Sequence, residues 1–549
     1  MSENLSYLSG RKGLHENLFE ISYQLVQANG TPDTQQMQQI AKEYLIGDAN
    51  IYSTYSFYDL LRPENKNKKA YVCNGSSCLC AGTQSMLKTE LKKYLKEEEI
   101  GEMTCLGRCH ENSAFHYNGH NYSGRDVDDI ASVIKSKTVP QEVYATKASG
   151  TSVLMQTALT AESFATYLQH LFTLRPGQVL NEIKKAHLRG RGGAGFPMGF
   201  KLESTKKAKG KHKFIVCNAD EGDPGAYSDR YLLEEQPLRV LLGMLIAGYV
   251  SCADTGVIYI RAEYPESQMI IKQSIRELGD QNLLGDNILN SGFSFGLKLI
   301  KAQGAYICGE ETALLSSIEG QRPEVRIRPP FPSQQGLFNM PAIVNSVETL
   351  ANVPFILKHG GDAFKRIGTS HSKGTKLVSL DSSFNKPGIY EIEMGTSLKT
   401  VIEQSGSGFR KDVKALHIGG PLGGLVPVSN IDSLHISFES FAENGFLLGH
   451  ASIVGIPESF PMIEYIKHLF QFTAHESCGK CFPCRLGSTR GSELLQKATE
   501  SDYKIDRQLF SDLLDTMQQG SLCALGSGLP LPVQNVLQYF DRELEDYFE

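Results

Sequence analysis

No stretch of this chain is both apolar and uncharged for the length a bilayer demands. The most apolar run, residues 238–259, is broken by Arg239 and Asp254 and reads as a buried helix followed by a strand. An excess of one charge is also missing. A formal net charge of −6 over 549 residues gives no electrostatic footprint for nucleic acid or an anionic membrane. The amino-terminal Met-Ser-Glu-Asn-Leu-Ser has no apolar core, which argues against a secretory leader. Internal repeats and low-complexity segments are lacking too. What remains is an ordinary globular composition, 41% hydrophobic and 21% charged, long enough for several domains. Twelve cysteines without a leader point to a reducing, cytoplasmic setting, where clustered thiols serve as metal ligands.

Five units follow from the patterning, giving an α/β multidomain fold class. Residues 1–65 carry apolar positions at helical spacing: Leu18, Ile21, Leu25 and Val26, then Met37, Ile40, Ala41, Tyr44 and Leu45. The break at 29–33 offers Thr31 or Asp33 as a helix cap. Residues 66–147 read strand, loop, helix, strand, loop, hairpin and helix, a thioredoxin-like order. A polar linker is expected over 135–151. Residues 150–365 alternate strands and helices, as a Rossmann-like, largely parallel sheet does. Residues 374–455 suggest a β-grasp-like unit with paired strands at 376–380 and 388–393. Residues 456–549 are helical.

Two cysteine quartets carry the chemistry. Cys478, Cys481 and Cys484 recur every third residue in Glu476-Ser-Cys-Gly-Lys-Cys-Phe-Pro-Cys-Arg485, and Cys523 lies further on. Three thiolates on one tight loop and one remote thiolate suit a cubane 4Fe-4S cluster. A structural zinc ion is the alternative, although zinc more often takes two separated pairs. Cys73, Cys78, Cys105 and Cys109 form two pairs on two loops, which suits a 2Fe-2S cluster with one pair per iron; zinc or a redox disulfide remain possible. Cys80 reads as a packed bystander, and Cys217, Cys252 and Cys308 as core.

The loop Gly190-Arg-Gly-Gly-Ala-Gly195 follows a helix, not a strand, so it is no ordinary dinucleotide fingerprint. Its glycine density still permits close backbone approach to a flat ring or a phosphate. Asn218, Asp220, Glu221 and Asp223 follow one strand, and Glu310 and Glu311 follow another. Carboxylates at strand ends of an α/β sheet line the crevice where ligands bind, and they accept from sugar hydroxyls.

Seven motifs, in order, carry a family resemblance. They are Arg189-Gly-Arg-Gly-Gly-Ala-Gly-Phe-Pro197, Cys217-Asn-Ala-Asp-Glu221, Gly304-Ala-Tyr-Ile-Cys-Gly-Glu-Glu-Thr-Ala-Leu314, Pro329-Pro-Phe-Pro332, Val344-Asn-Ser-Val-Glu-Thr349, the 476–485 loop and Cys523-Ala-Leu-Gly526. The chain resembles the NADH-oxidising flavoprotein module of respiratory complex I and its relatives in soluble NAD-linked hydrogenases and formate dehydrogenases. The resemblance covers about residues 150–540, with the separate thioredoxin-like subunit of complex I fused in front. It implies FMN held by Gly190, Arg191, Gly192, Gly193, Lys201, Asn218, Asp220, Glu221, Tyr306, Gly309 and Asn345. It implies NAD(H) stacked near Phe196 and Phe331, with Asp223, Glu311 and Arg328 beside it.

Departures from the family pattern are visible. Tryptophan is absent, so Gly199-Phe-Lys-Leu202 stands where Gly-Leu-Lys-Trp is frequent. Arg328 replaces a lysine, Ser346 an asparagine, and Asp223 a glutamate. The segments 419–424 and 480–491 look most like formate dehydrogenase beta subunits and hydrogenase diaphorase subunits. The expected function is hydride exchange between NAD(H) and FMN and single-electron exchange with iron–sulfur clusters. The expected partner is a catalytic subunit with further clusters. A molybdopterin formate dehydrogenase alpha subunit is favoured; hydrogenase and complex I partners are the alternatives. A zinc-stabilised, non-catalytic assembly protein is the reading from another class.

Overall fold

The computed structural model describes residues 14, 17–29, 32–124, 126, 130–136 and 143–549. At the amino-terminal end, helices Leu18–Asn29, Thr34–Tyr44 and Asp48–Tyr55 pack together, one more than the spacing predicts. Leu45 in the left-handed region ends the second helix and makes room for the third. Asp33 is the cap of the second helix: its carboxylate accepts from the Gln36 amide, and the Asp33 amide donates to Gln36 Oε1. Thr31 lies outside the described residues. The group docks through Tyr58, whose hydroxyl donates to Ser317 Oγ at 2.8 Å, and through Asn17, whose amide nitrogen donates to the Ile318 carbonyl.

Strands β1 (Ala70–Cys73), β2 (Ile100–Met103), β3 (Phe115–Tyr117) and β4 (His120–Tyr122) form a sheet ordered β2-β1-β3-β4. β1 runs parallel to β2 and antiparallel to β3, the thioredoxin-like arrangement. The final helix of this unit, expected over 126–135, is described from Ile130 to Ser136, and its expected start falls partly outside the described residues.

The linker expected over 135–151 is corrected in part. Thr146–Ser149 is a strand, β5, paired in parallel with the edge of the third sheet. Its neighbours are held by a buried carboxylate: Glu391 accepts from the amides of Val153, Leu154 and Met155, each at 2.8 Å, and from Ser152 and Thr375 hydroxyls. A segment read as polar linker is thus ordered by hydrogen bonds that composition does not reveal.

β6 (Phe214–Ala219), β7 (Thr255–Ile260), β8 (Gly296–Lys301) and β9 (Ala342–Ser346) form an all-parallel sheet ordered β8-β7-β6-β9. Helix Pro237–Ser251, apolar on its faces apart from Arg239, is buried against it, as the 238–259 run predicts. The chain winds outward from β6 to β8 and then returns to place β9 on the other side of β6. The β6–β9 boundary is therefore a topological switch point, where a crevice opens beyond the strand ends.

β10 (Thr375–Leu380), β11 (Gly388–Glu393), β12 (Val413–Ile418), β13 (Gly424–Pro427) and β14 (Ser452–Pro457) join β5 in a mixed sheet ordered β13-β12-β14-β10-β11-β5. The expected β10–β11 pair is present and antiparallel. The carboxyl-terminal region is built from helices Met462–Glu476, Phe482–Glu500, Arg507–Gly520, Ala524–Gly528, Pro530–Tyr539 and Asp541–Leu544. Among the described residues, no helix is long and apolar enough to cross a membrane.

Candidate functional site: a crevice between two cysteine quartets

The crevice sits over the switch point. Strand pairing sets Cys217 opposite Asn345 and Asn218 opposite Ser346, so both polar motifs leave the sheet at one edge. The glycine loop lies across these ends. The Arg191 amide donates to Thr349 Oγ1 at 2.8 Å, and a Cβ on Gly192 would stand 3.1 Å from Ser346 Cβ. Gly193 holds φ +120°, a conformation that side chains resist, and space beside it is bounded by the Gly449 backbone at 3.9 Å. On the third side, the Asn218 side-chain amide donates to the Gly309 carbonyl at 2.8 Å, bringing the 304–311 segment over the crevice.

Several polar atoms here have no protein partner: Arg191 Nε and Nη1, Asp220 Oδ2 and Asn345 Nδ2 are buried without a hydrogen bond. Burying a guanidinium this way is costly. Burial also lowers the Arg191 pKa to about 10, although the group stays charged at neutral pH. Two free, fixed guanidinium donors suit a phosphate, while a carboxylate and an amide suit hydroxyls and ring edges. The donor set fits a flavin mononucleotide.

Glu221 differs from the sequence expectation of a flavin-facing carboxylate. Its carboxylate accepts from the Asp229 and Arg230 amides at 2.9 and 3.1 Å and from the Tyr264 hydroxyl at 3.1 Å. It caps helix Ser228–Glu235, so its side chain is committed to the fold. Asp223 is committed as well, to Tyr306 and His450.

At the mouth, Phe196 and Phe331 are 46% and 53% exposed, a poor use of phenyl surface unless a planar ligand covers it. Phe196 packs edge-on to Phe200 at 5.6 Å. Between the phenyl rings and the sheet runs a charged chain: Lys201 Nζ is 3.0 Å from Glu311, and Glu311 is 2.9 Å from Arg328. Glu311 opens the helix Glu311–Ile318, where Glu310 is the cap.

The 73–109 quartet packs directly on the crevice loop. Its four thiols are buried, and Cys105 and Cys109 sulfurs are 3.3 Å apart. The Gly225 amide donates to Cys109 Sγ at 3.2 Å, and the Gly107 amide to Cys105 Sγ at 3.4 Å. Amides aimed at sulfur stabilise thiolate rather than thiol. A hydrogen bond from Cys105, then burial, pushes the Cys109 thiol well up, so in the protein alone the proton is retained. Metal binding removes that proton. Cys80 packs instead against the carboxyl-terminal helices.

The 478–523 quartet lies beyond Tyr306, whose amide donates to Glu476 Oε2 at 2.8 Å and whose ring meets Phe472 edge-on at 4.8 Å. Cys481 and Cys523 each stand at a helix amino-terminus, heading Phe482–Glu500 and Ala524–Gly528. Two positive dipole ends thus face four thiols, an arrangement suited to an anionic cluster. Burial raises Cys484 to about 11 and Cys523 to about 12. An open polar cleft of about 400 Å³ borders Cys478, with Arg322, Glu324 and Arg485 along its walls.

Cys217 and Cys308 are buried as expected, whereas Cys252 is exposed. It sits in the left-handed position that ends the buried helix, where the chain turns outward. Sequence reasoning missed His450, which belongs to no motif.

Three family models match the chain. The Nuo51 FMN-binding domain matches residues 183–355, the NADH-ubiquinone oxidoreductase-F iron-sulfur binding region 464–547, and the thioredoxin-like [2Fe-2S] ferredoxin 12–138. The chain is 41% identical to the NADP-reducing hydrogenase subunit HndC of Solidesulfovibrio fructosivorans, over 70% of this chain and 78% of that one. It is 38% identical to an NADH-quinone oxidoreductase subunit of Rhizobium meliloti (strain 1021), over 68% and 89%. The crystal structure of an air-oxidized NAD+-reducing [NiFe]-hydrogenase superposes with a TM-score of 0.85 at 26% identity, covering 98% of this chain and 94% of that one. The chain therefore belongs to the family of flavoprotein subunits of complex I and NAD-linked hydrogenases, with an FMN-binding domain, a 4Fe-4S region and a thioredoxin-like 2Fe-2S domain.

Proposed function

We propose that this chain exchanges a hydride between NAD(H) and FMN, and single electrons between FMN and its two iron–sulfur centres. The observation that carries this is the set of buried, unpartnered donors and acceptors at Arg191, Asp220 and Asn345, poised at a switch-point crevice between two cysteine quartets. FMN, when bound, takes a hydride as a pair of electrons and releases the electrons one at a time. Arg191 holds the flavin phosphate, Asn218 and Asp220 hold its ribityl and ring edges, and Gly190, Gly192, Gly193 and Gly309 let backbone approach the ring. Lys201 and Asn345 complete the cradle. Phe196 and Phe331 sandwich the planar part of the dinucleotide, and the Lys201–Glu311–Arg328 chain fixes its sugar and pyrophosphate. No side-chain acid or base is assigned, since hydride transfer needs stacking rather than proton movement. Cys478, Cys481, Cys484 and Cys523 hold the 4Fe-4S cluster, and Cys73, Cys78, Cys105 and Cys109 the 2Fe-2S cluster.

The partner is a catalytic subunit of a cytoplasmic complex with clusters of its own. The 419–424 and 480–491 segments suit a formate dehydrogenase or a hydrogenase partner, with a molybdopterin formate dehydrogenase favoured; the likeness to an NAD+-reducing [NiFe]-hydrogenase over 98% of the chain supports a hydrogenase. Anaerobic purification of the tagged chain tests both levels. A yellow-brown protein that reduces viologen dyes with NADH and gives two EPR signals is expected, and a colourless zinc protein would overturn the reading. The co-purifying subunit decides the partner: a molybdopterin protein, a nickel–iron or iron-only hydrogenase, or a membrane set.

A further inference from the structure

Beside the glycine loop, Asp223 meets two side chains that the chain brings from far away in sequence. His450 Nε2 lies 2.7 Å from Asp223 Oδ2, an ion pair when the imidazole is protonated, and the Tyr306 hydroxyl donates to Asp223 Oδ1 at 2.5 Å. Both oxygens of the carboxylate that sequence reasoning assigned to NAD(H) are thus occupied by protein. The 419–424 loop approaches Asp223 closely: a Cβ on Gly420 would lie 2.5 Å from its carboxyl carbon, so a side chain there would displace the carboxylate. His450 follows Gly449, whose backbone borders the glycine loop at Gly193. The pair therefore lies next to the loop that borders the glycine loop, and both side chains are largely buried, 13% and 20% exposed.

We propose that His450 is a positioning residue that neutralises Asp223 and thereby makes dinucleotide binding proton-linked: with the imidazolium present the pair adds no net charge, and without it Asp223 faces the pyrophosphate as a bare anion. The proposal rests on the reading of this crevice as the NAD(H) site. The charges around His450 are Asp223 and Glu221 from the loop after β6, Asp229 from the following helix, and Lys376 of β10, which is itself paired with Glu348. Burial opposes the imidazolium, but Asp223 and Glu221 outweigh burial and Lys376, and the His450 pKa stands above its ordinary value. The imidazolium is therefore held to a higher pH than a free histidine would hold it, and is lost as the pH rises further.

The test is direct NADH binding to the purified, flavin-loaded and dithionite-reduced chain by calorimetry between pH 6 and 9. Wild-type affinity is expected to fall by about tenfold as His450 deprotonates. His450→Gln is expected to bind at the weak level at every pH, because Asp223 is left uncompensated. Asp223→Asn is expected to bind at the tight level at every pH, and the double variant likewise. A role confined to stapling the loop at 449 to the loop at 223 would instead weaken both single variants alike and leave the pH profile unmoved. A wild-type affinity that is flat with pH, or single variants that change in the same direction, overturns the inference while leaving the NAD(H) reading intact. No NADH binding by the wild type at any pH overturns the NAD(H) reading itself.

Discussion

At the residue scale, the crevice shows how much depends on which polar atoms are left without partners. Arg191 is 1% exposed and still has two unpartnered donors. A charged hydrogen bond is worth about 1.5–3 kcal/mol, so Arg191→Met should weaken FMN binding by roughly 10- to 100-fold, read by flavin fluorescence titration. Unchanged affinity would remove the phosphate role. The glycines and Arg191 were legible as a motif. That Glu221 caps a helix and that Asp223 is taken by His450 was not, because a side chain's partner is set by what the fold brings beside it.

At the element scale, two local devices invite separate tests. Glu391 orders 152–155 through three backbone amides. Glu391→Ala strands those donors in a buried place and should cost about 3 kcal/mol in urea denaturation, without changing the spectrum of either cluster. A loss below about 0.5 kcal/mol would show that water replaces the carboxylate. Cys523→Ser should abolish the EPR signal of one cluster and lower the iron content, with flavin and the other signal retained, since the two quartets stand on different elements. Loss of both signals together would contradict that independence. The helices around Cys523 and Cys481 were readable from periodicity; their two amino-termini meeting over one set of thiols was not.

At the scale of the whole molecule, buried histidines tie the units together and set an acid limit. His417 of β12 lies 2.7 Å from the Tyr465 hydroxyl on helix Met462–Glu476, and burial lowers its pKa to about 4. His468, on the same helix and electrostatically linked to Glu102 of the thioredoxin-like unit, is also lowered to about 4 by burial. Both are neutral when folded and take up protons on unfolding below the ordinary histidine range. Their contribution is therefore present above about pH 6.5 and is lost toward pH 4, by up to about 2.7 kcal/mol per pH unit for the two together. His417→Gln should have a shallower loss of stability between pH 7 and 5 than the wild type, followed by chemical denaturation. Parallel curves would exclude His417 as a source.

The sequence by itself determined the cysteine quartets, the flavin motifs, the helical and alternating segments and, through seven ordered motifs, the family. These are local: spacing along the chain and residue type suffice to read them. Only the tertiary structure decided which strand ends share an edge, that a polar linker supplies β5, and that Cys252 is exposed. It also decided that an unremarked histidine from the 449–450 loop lies against a carboxylate more than two hundred positions earlier. Such pairings depend on the return of the chain across the sheet, and no pattern of neighbours in sequence encodes the distance between residues that only folding brings together.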